Sequence, residues 1–278
     1  MIDATLFQQK HQLWLRVAFA SFATTNLPIK NRLYEFSQIQ FRHLKWIAED
    51  LHTHESDYSY ERDAGFGIEA QTLFELLNRT VREIEEIHSL YDDSQLSQRM
   101  LHDEQYLLQT LQDYLADTSL DETLTAFDRS RQWPDAVLSS EQLDALTLFL
   151  FEESYKEYEL IMVYFYSQVR ATSTLQYGSF QDLIDESHFH LRSFGEMMAK
   201  MGILSLPRTL HPLTYQITDM EKFLHNGIVE EENAKEECRR LSESITDEKL
   251  SRFFEFINYQ ESYHIEIMKK LLKEKNHG

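Results

Sequence analysis

The sequence predicts an all-α protein, on three observations. Glycine and proline are scarce, 7 and 4 in 278 residues, so the chain lacks the punctuation that many short strands and turns require. Apolar residues recur at steps of three and four over long stretches, the period of a single helical face. The positions between them are filled with Leu, Glu, Gln and aromatics, and the first three of these are good helix formers. A hydrophobic content of 42% provides for a core in each of the two compact domains that the length allows.

Eight long helices are expected, near 4–25, 29–54, 66–91, 95–116, 140–172, 179–202, 212–244 and 247–274. Each break has a chemical reason. Pro28 separates the first pair, Gly65 and Gly67 precede the third helix, and Asp92, Asp93 and Ser94 supply a turn before the fourth. Ser139 with Gln142 has the form of a capping box at the start of the fifth. Gly178 and Ser179 are expected to open the sixth helix, and Pro207 and Pro212 to flank the start of the seventh. The polar stretch 119–138, which holds Pro134, reads as a linker between a domain at 1–118 and a domain at 139–278.

Four helices on each side of that linker suggest a duplication. Leu6, Phe7, Gln8 and Gln9 can be laid over Leu150, Phe151, Glu152 and Glu153, and the step from Gln9 to His43 nearly equals the step from Glu153 to His188. The identities are few, but the spacing is consistent.

Charge excludes several functions. The chain carries 47 acidic against 27 basic residues, a formal charge of -20, which repels nucleic acid and anionic membranes and favours cations. The lone Cys238 cannot form an internal disulfide, and no apolar run reaches the length of a membrane span. The N-terminal residues lack a signal-peptide pattern, so cytoplasmic residence is the expectation.

The most informative feature is the last helix. Its apolar stripe reads Leu250, Phe254, Ile257, Glu261, His264, Met268 and Leu271, so a carboxylate and an imidazole stand where core side chains belong. An unpaired buried carboxylate is costly, and a metal ion is a partner that suits both groups. The other helices of this half supply matching groups. Glu153 and Glu157 lie one turn apart on the fifth, Asp185 and His188 lie on or beside the stripe of the sixth, and Glu231 is central to the seventh. Four carboxylates and two neutral imidazoles carry about four negative charges, which two divalent ions would cancel. Glu153 is carried as the ligand from the fifth helix, with Glu157 left open as the other choice.

Five of the 12 histidines follow an acidic residue by three, more than the roughly two that the acidic content predicts by chance. A lone pair of this kind is usually a solvated neighbour on a helix surface. Glu49 with His52 and Glu274 with His277 are read that way. Glu85 with His88 is left as either a core histidine or the remnant of a site. Tyr155, Tyr158, Tyr164, Phe165 and Tyr166 are read chiefly as core filling, and Cys238 as a buried thiol.

On the segments 183–202 and 230–272 the chain resembles the ferritin-like superfamily, most closely its rubrerythrin-like branch, with one Glu from each of two helices and an acid-x-x-His pair from each of the others. Asp185 stands where Glu is usual, and no Cys-x-x-Cys pair is present to hold a rubredoxin-type iron. The resemblance implies two tandem ferritin-like four-helix bundles, the second with two Fe ions, or Mn in their place, held by Glu153, Asp185, His188, Glu231, Glu261 and His264. It implies reaction with dioxygen or peroxide as an oxidase, peroxidase or ferroxidase. The partners expected are metal ions and the oxidant, with a homodimer allowed and neither nucleic acid nor membrane. A non-catalytic helical module with a structural ion or polar network is the competing expectation, and iron storage comes third. In the first half, Gln9, Gln40 with His43, and Leu107 with Thr110 take the matching places, a set that cannot balance two divalent ions.

Overall fold

A computed structural model describes residues 2–117 and 122–275. Among them the protein is all-α, with helices α1 (Ala4–Ala23), α2 (Leu27–Thr53), α3 (Leu73–His88), α4 (Gln95–Ala116), α5 (Ser140–Val169), α6 (Thr174–Lys200), α7 (Pro212–Tyr215), α8 (Met220–Ser244) and α9 (Glu248–Lys275), plus a 3-10 turn at Thr125–Phe127. No helix among the described residues is long and apolar enough to cross a membrane.

Short polar side chains set the helix starts by accepting otherwise orphaned backbone N–H groups. Asp3 accepts from the Leu6 N–H at 2.9 Å, Ser94 from Ser97 at 3.1 Å and Asp219 from Lys222 at 3.0 Å. The capping box at α5 is present: Ser139 Oγ accepts from the Gln142 N–H at 3.3 Å, and Gln142 Oε1 accepts from the Ser139 N–H at 3.0 Å. Ser139→Ala is expected to cost about 1 kcal/mol of stability, read by denaturant unfolding.

Three boundaries differ from expectation. α3 starts at Leu73 and not near 66, because Thr72 caps it and residues 71–73 are tied to 122–124 by backbone bonds, Leu73 N–H to Glu122 O and Leu124 N–H to Gln71 O, both 2.9 Å. α6 begins at Thr174, five residues before Ser179; the Gln176 N–H donates to Ser173 Oγ at 3.1 Å, and Gly178 lies inside the helix. The expected helix 212–244 is two helices, because Asp219 caps a fresh start at Met220.

The chain forms two compact units, the first comprising Met1–Ser130 and Met198–Pro212, the second Arg131–Met197 and Leu213–Gly278. The expected linker 119–138 is therefore divided. Residues 122–130 belong to the first unit, 131–138 to the second, and 118–121 lie outside the described residues. The segment after α6 joins the first unit through backbone bonds: Leu204 N–H donates to Ala126 O at 2.9 Å, and Arg129 N–H to Gly202 O at 2.6 Å. Gly202 has φ +68°, and a Cβ there would lie 1.9 Å from Asp128 Oδ1, so this turn needs glycine.

Within the first unit, Phe7, Leu33, Leu44, Leu76, Ile84 and Met100 are buried together with several polar groups treated below. In the second, Leu146, Leu150, Ile161, Leu183, Phe254 and Ile257 are buried on the helices that carry the acidic cluster. Gly227 on α8 lets α9 approach closely, since a Cβ there would meet Met268 Sδ at 2.9 Å.

Candidate metal centre

The cluster lies in the second unit, where four helices each turn a stripe inward. On α9 the stripe is the expected one, and Glu261 and His264 are 3% and 1% exposed. On α8 buried positions run Leu224, Gly227, Glu231, Ala234, Cys238 and Leu241. α5 buries both Glu153 and Glu157, one turn apart. On α6 the helix turns Leu183, Ser187, His190, Phe194 and Met198 inward, and His190 is fully buried.

His190 Nδ1 lies 2.8 Å from Glu157 Oε1 and 3.7 Å from Glu261 Oε1. His264 Nδ1 lies 3.0 Å from Glu261 Oε2 and 3.3 Å from Glu231 Oε1. Ligand atoms of His190, Glu261 and His264 all fall within 4.8 Å of one another. The far side of each ring has its own acceptor: His190 Nε2 is 3.2 Å from Gln260 Oε1, and His264 Nε2 is 3.2 Å from Glu186 Oε2. Those partners orient each imidazole with Nδ1 toward the carboxylates, as outer-shell acceptors do for metal-bound histidines.

Of the six residues expected to bind metal, the structure gathers four: Glu153, Glu231, Glu261 and His264. Asp185 is exposed and accepts a bond from Gln181 Nε2 at 2.8 Å. His188 is buried, and burial alone lowers its pKa to about 3. Each residue step rotates a helix by about 100°, and both the stripe through Ile184, His188 and Leu191 and the one through Leu183, His190 and Phe194 are buried; it is the second that carries an imidazole to Glu157 and Glu261. Glu157 and His190 take their places, with Glu186 behind His264. The signal that finds them is a repeated separation. Glu157 precedes His190 by 33 residues, and Glu231 precedes His264 by the same 33.

The donor set fits metal. Glu153, Glu157, Glu231 and Glu261 line a common cavity of about 10 Å³ between α5, α8 and α9. Glu157 Oε2, Glu261 Oε2 and both His264 nitrogens are buried without an aligned hydrogen bond, although charged partners lie close to His264. Lone pairs converge on shared points here and are not satisfied by one another. Carboxylate and imidazole in this mixture suit Fe or Mn.

With protons as the only cations, the cluster balances itself differently. Burial opposes the charged form of His190, but Glu157 and Glu261 outweigh it and raise the imidazole to about 9. His264 is raised well above its usual range by Glu186, Glu231 and Glu261, also against burial. Burial and the Glu231 charge push Glu261 up to about 8, while burial raises Glu153 to about 7 against the pull of Lys156, 3.4 Å away. Burial works against the Glu231 charge as well, but His264 holds this carboxyl below its usual value.

The sign of the pH dependence follows. Glu153, Glu261 and His190 hold their protons more tightly folded than unfolded, so the stability they give is complete below their unfolded values and lost as pH rises through about 7, 8 and 9. Glu231 acts oppositely, its contribution being lost as pH falls below about 4.5. Metal-free protein is expected to melt at a lower temperature at pH 9 than at pH 6. Bound metal should reverse the trend, because metal displaces the same protons. Calorimetry at the two pH values, with and without metal, checks both signs.

Above the cavity lies a cleft of about 580 Å³ between α5 and α8, lined by Ala145, Leu148, Phe149, Asn233 and Ala234, with Glu153 and Lys156 at its inner end. Cys238 is buried, and burial pushes its thiol up, which leaves it inert. Tyr164 is fully buried on α5, and burial together with the charges of Glu231 and Glu157 raises its phenol well above the usual range. Comparison with family models, curated proteins and solved structures returns no match for this chain.

Proposed function

We propose that the second unit holds a dinuclear iron or manganese centre and that the protein is an oxidoreductase acting on dioxygen or peroxide. The observation that carries the proposal is the convergence of His190, Glu261 and His264 within 4.8 Å, flanked by the buried Glu157, Glu231 and Glu153. The set keeps the Glu and His types of the ferritin-like resemblance but not its acid-x-x-His pair on α6, where Ser187 precedes His190 by three and the further carboxylate, Glu157, comes from α5. When bound, the metal pair supplies the redox change that oxidant chemistry requires.

The protein's own groups do the rest. Four carboxylates cancel the charge of two divalent ions. His190 and His264 would each present Nδ1 to them, with Gln260 accepting from the opposite side of His190 and the Glu186 carboxylate lying 3.2 Å from that of His264. Leu146, Phe254 and Ile257 keep bulk water away. The cleft between α5 and α8 is the approach for an oxidant or a small organic reductant, and the Lys156 ammonium beside Glu153 marks its end. The single cysteine is in keeping with a cytoplasmic setting, which belongs to the same proposal.

The test is optical. Protein purified without added metal is analysed for its elements, then reduced, loaded with Fe(II) without oxygen and mixed with air or peroxide. A new near-ultraviolet and visible absorption that decays on further reduction is the result expected. Iron that stays bound with no oxidant-dependent change would leave a structural ion in a non-catalytic module.

A further inference from the structure

The first unit contains a buried polar cluster of its own, arranged around a lysine. Lys10 on α1 is fully buried, and its ammonium touches Gln40 Oε1, Glu104 Oε1 and His43 Nδ1, the last at 3.1 Å. An ammonium has three N–H donors, and here each has an acceptor. His43 Nδ1 accepts, so the proton of this imidazole sits on Nε2, which donates to Asp103 Oδ2 at 2.9 Å. Glu104 is bound from its other oxygen as well, by Tyr91 Oη at 2.7 Å, with His88 Nε2 at 3.3 Å.

The position of Lys10 in sequence gives the cluster its meaning. Lys10 precedes His43 by 33 residues, the same interval as Glu157 to His190 and Glu231 to His264. Glu104 on α4 stands where Glu261 stands on α9, with the buried Leu107 three residues on in place of His264. The overlay expected from sequence put Gln9 and Leu107 at the ligand positions. In the structure Gln9 bonds Asp63 at 2.8 Å, and Lys10 and Glu104 hold the cluster. An ammonium on a flexible stem thus sits among an imidazole nitrogen, a carboxylate oxygen and an amide oxygen, donors that bind a divalent ion elsewhere.

We propose that Lys10 is a built-in cation that takes the place of metal in the first unit, so that this unit folds without metal and binds none, and that its removal exposes a latent site of Gln40, His43 and Glu104 for one divalent ion. The disagreement between this residue set and a metal pair has two causes, a lysine at a carboxylate position and Leu107 at an imidazole position. The Lys10 ammonium is the counter-charge of Glu104, and its three N–H groups take up the oxygens and the nitrogen that a second cation would need.

The experiment uses the full chain and Co(II), whose visible absorption reports nitrogen and oxygen ligation. Lys10→Met and Lys10→Gln are made with and without His190→Ala and His264→Ala in the second unit. Each Lys10 variant is expected to bind one more Co(II) per chain than its parent, with an added visible band that His43→Ala removes. If a variant folds only when Co(II) or Zn(II) is present, the metal is replacing the lost ammonium, which supports the proposal equally. A Lys10 variant that folds without metal and gains no ion overturns it. Should neither variant fold with or without metal, the parent carrying His190→Ala and His264→Ala decides: no Co(II) bound upholds the metal-free first unit, and an ion that His43→Ala displaces refutes it. Failure of the second unit to bind metal would appear in wild-type protein and leaves the Lys10 gain readable.

Discussion

His190→Ala is expected to lower metal affinity at least tenfold, equivalent to about 1.4 kcal/mol or more, and His188→Ala to leave it within a factor of two or so. The contrast is large because the two residues are neighbours in sequence but not in chemistry. His190 Nδ1 faces Glu157 and Glu261, which raise its pKa to about 9 against burial, whereas burial lowers that of His188 to about 3. Removing His190 deletes a nitrogen donor and leaves Glu157 with an unpaired buried charge. Removing His188 leaves a cavity on a face that does not carry the cluster. Elemental analysis and titration with Co(II) or Mn(II) measure both variants. Equal losses in the two would mean that α6 turns a different stripe inward and would undo the assignment of the centre.

Glu104→Ala is expected to destabilise the first unit by about 3–5 kcal/mol, since it strands the Lys10 ammonium in a core from which water is excluded. Burial alone would raise the Glu104 carboxyl, but the Lys10 ammonium, with His43 and His88 close by, holds it well below the usual carboxylate range. Its contribution is therefore complete above about pH 4.5 and lost as pH falls toward the depressed value, so acid should unfold the first unit from that point downward. The double variant Lys10→Met with Glu104→Leu should recover most of the loss, because apolar groups of similar volume need no counter-charge. Denaturant titration of the two singles and the double gives the coupling energy directly. A double variant as unstable as the worse single would mean that the pair is not the source of the stability.

How much was legible in the sequence depended on how polar each helix is. α8 and α9 carry charged residues over most of their surface, so each has one narrow apolar stripe, and Glu231, Glu261 and His264 could be placed on it from spacing alone. The α5 start was legible for the same kind of reason, since a capping box is local chemistry. The site residues contributed by α5 and α6 were not. α5 buries residues on almost every side from Leu146 to Gln168, and α6 offers two apolar stripes one residue apart, so periodicity admits Asp185 with His188 as readily as Glu186 with His190.

The chain by itself thus determined an all-helical protein, the helix starts that short polar side chains cap, and the inward positions of Glu231, Glu261 and His264 on helices with a single apolar face. Those features arise from interactions within a few residues, or from a pattern that only one rotation can bury. Only the tertiary structure decided that Glu157 and His190 face the centre, that residues after α6 pack with the first unit, and that Lys10 fills the heart of that unit. Each depends on which neighbour a helix meets, and a side chain becomes a ligand, a counter-ion or a bystander only when helices far apart in sequence fix the charge around it.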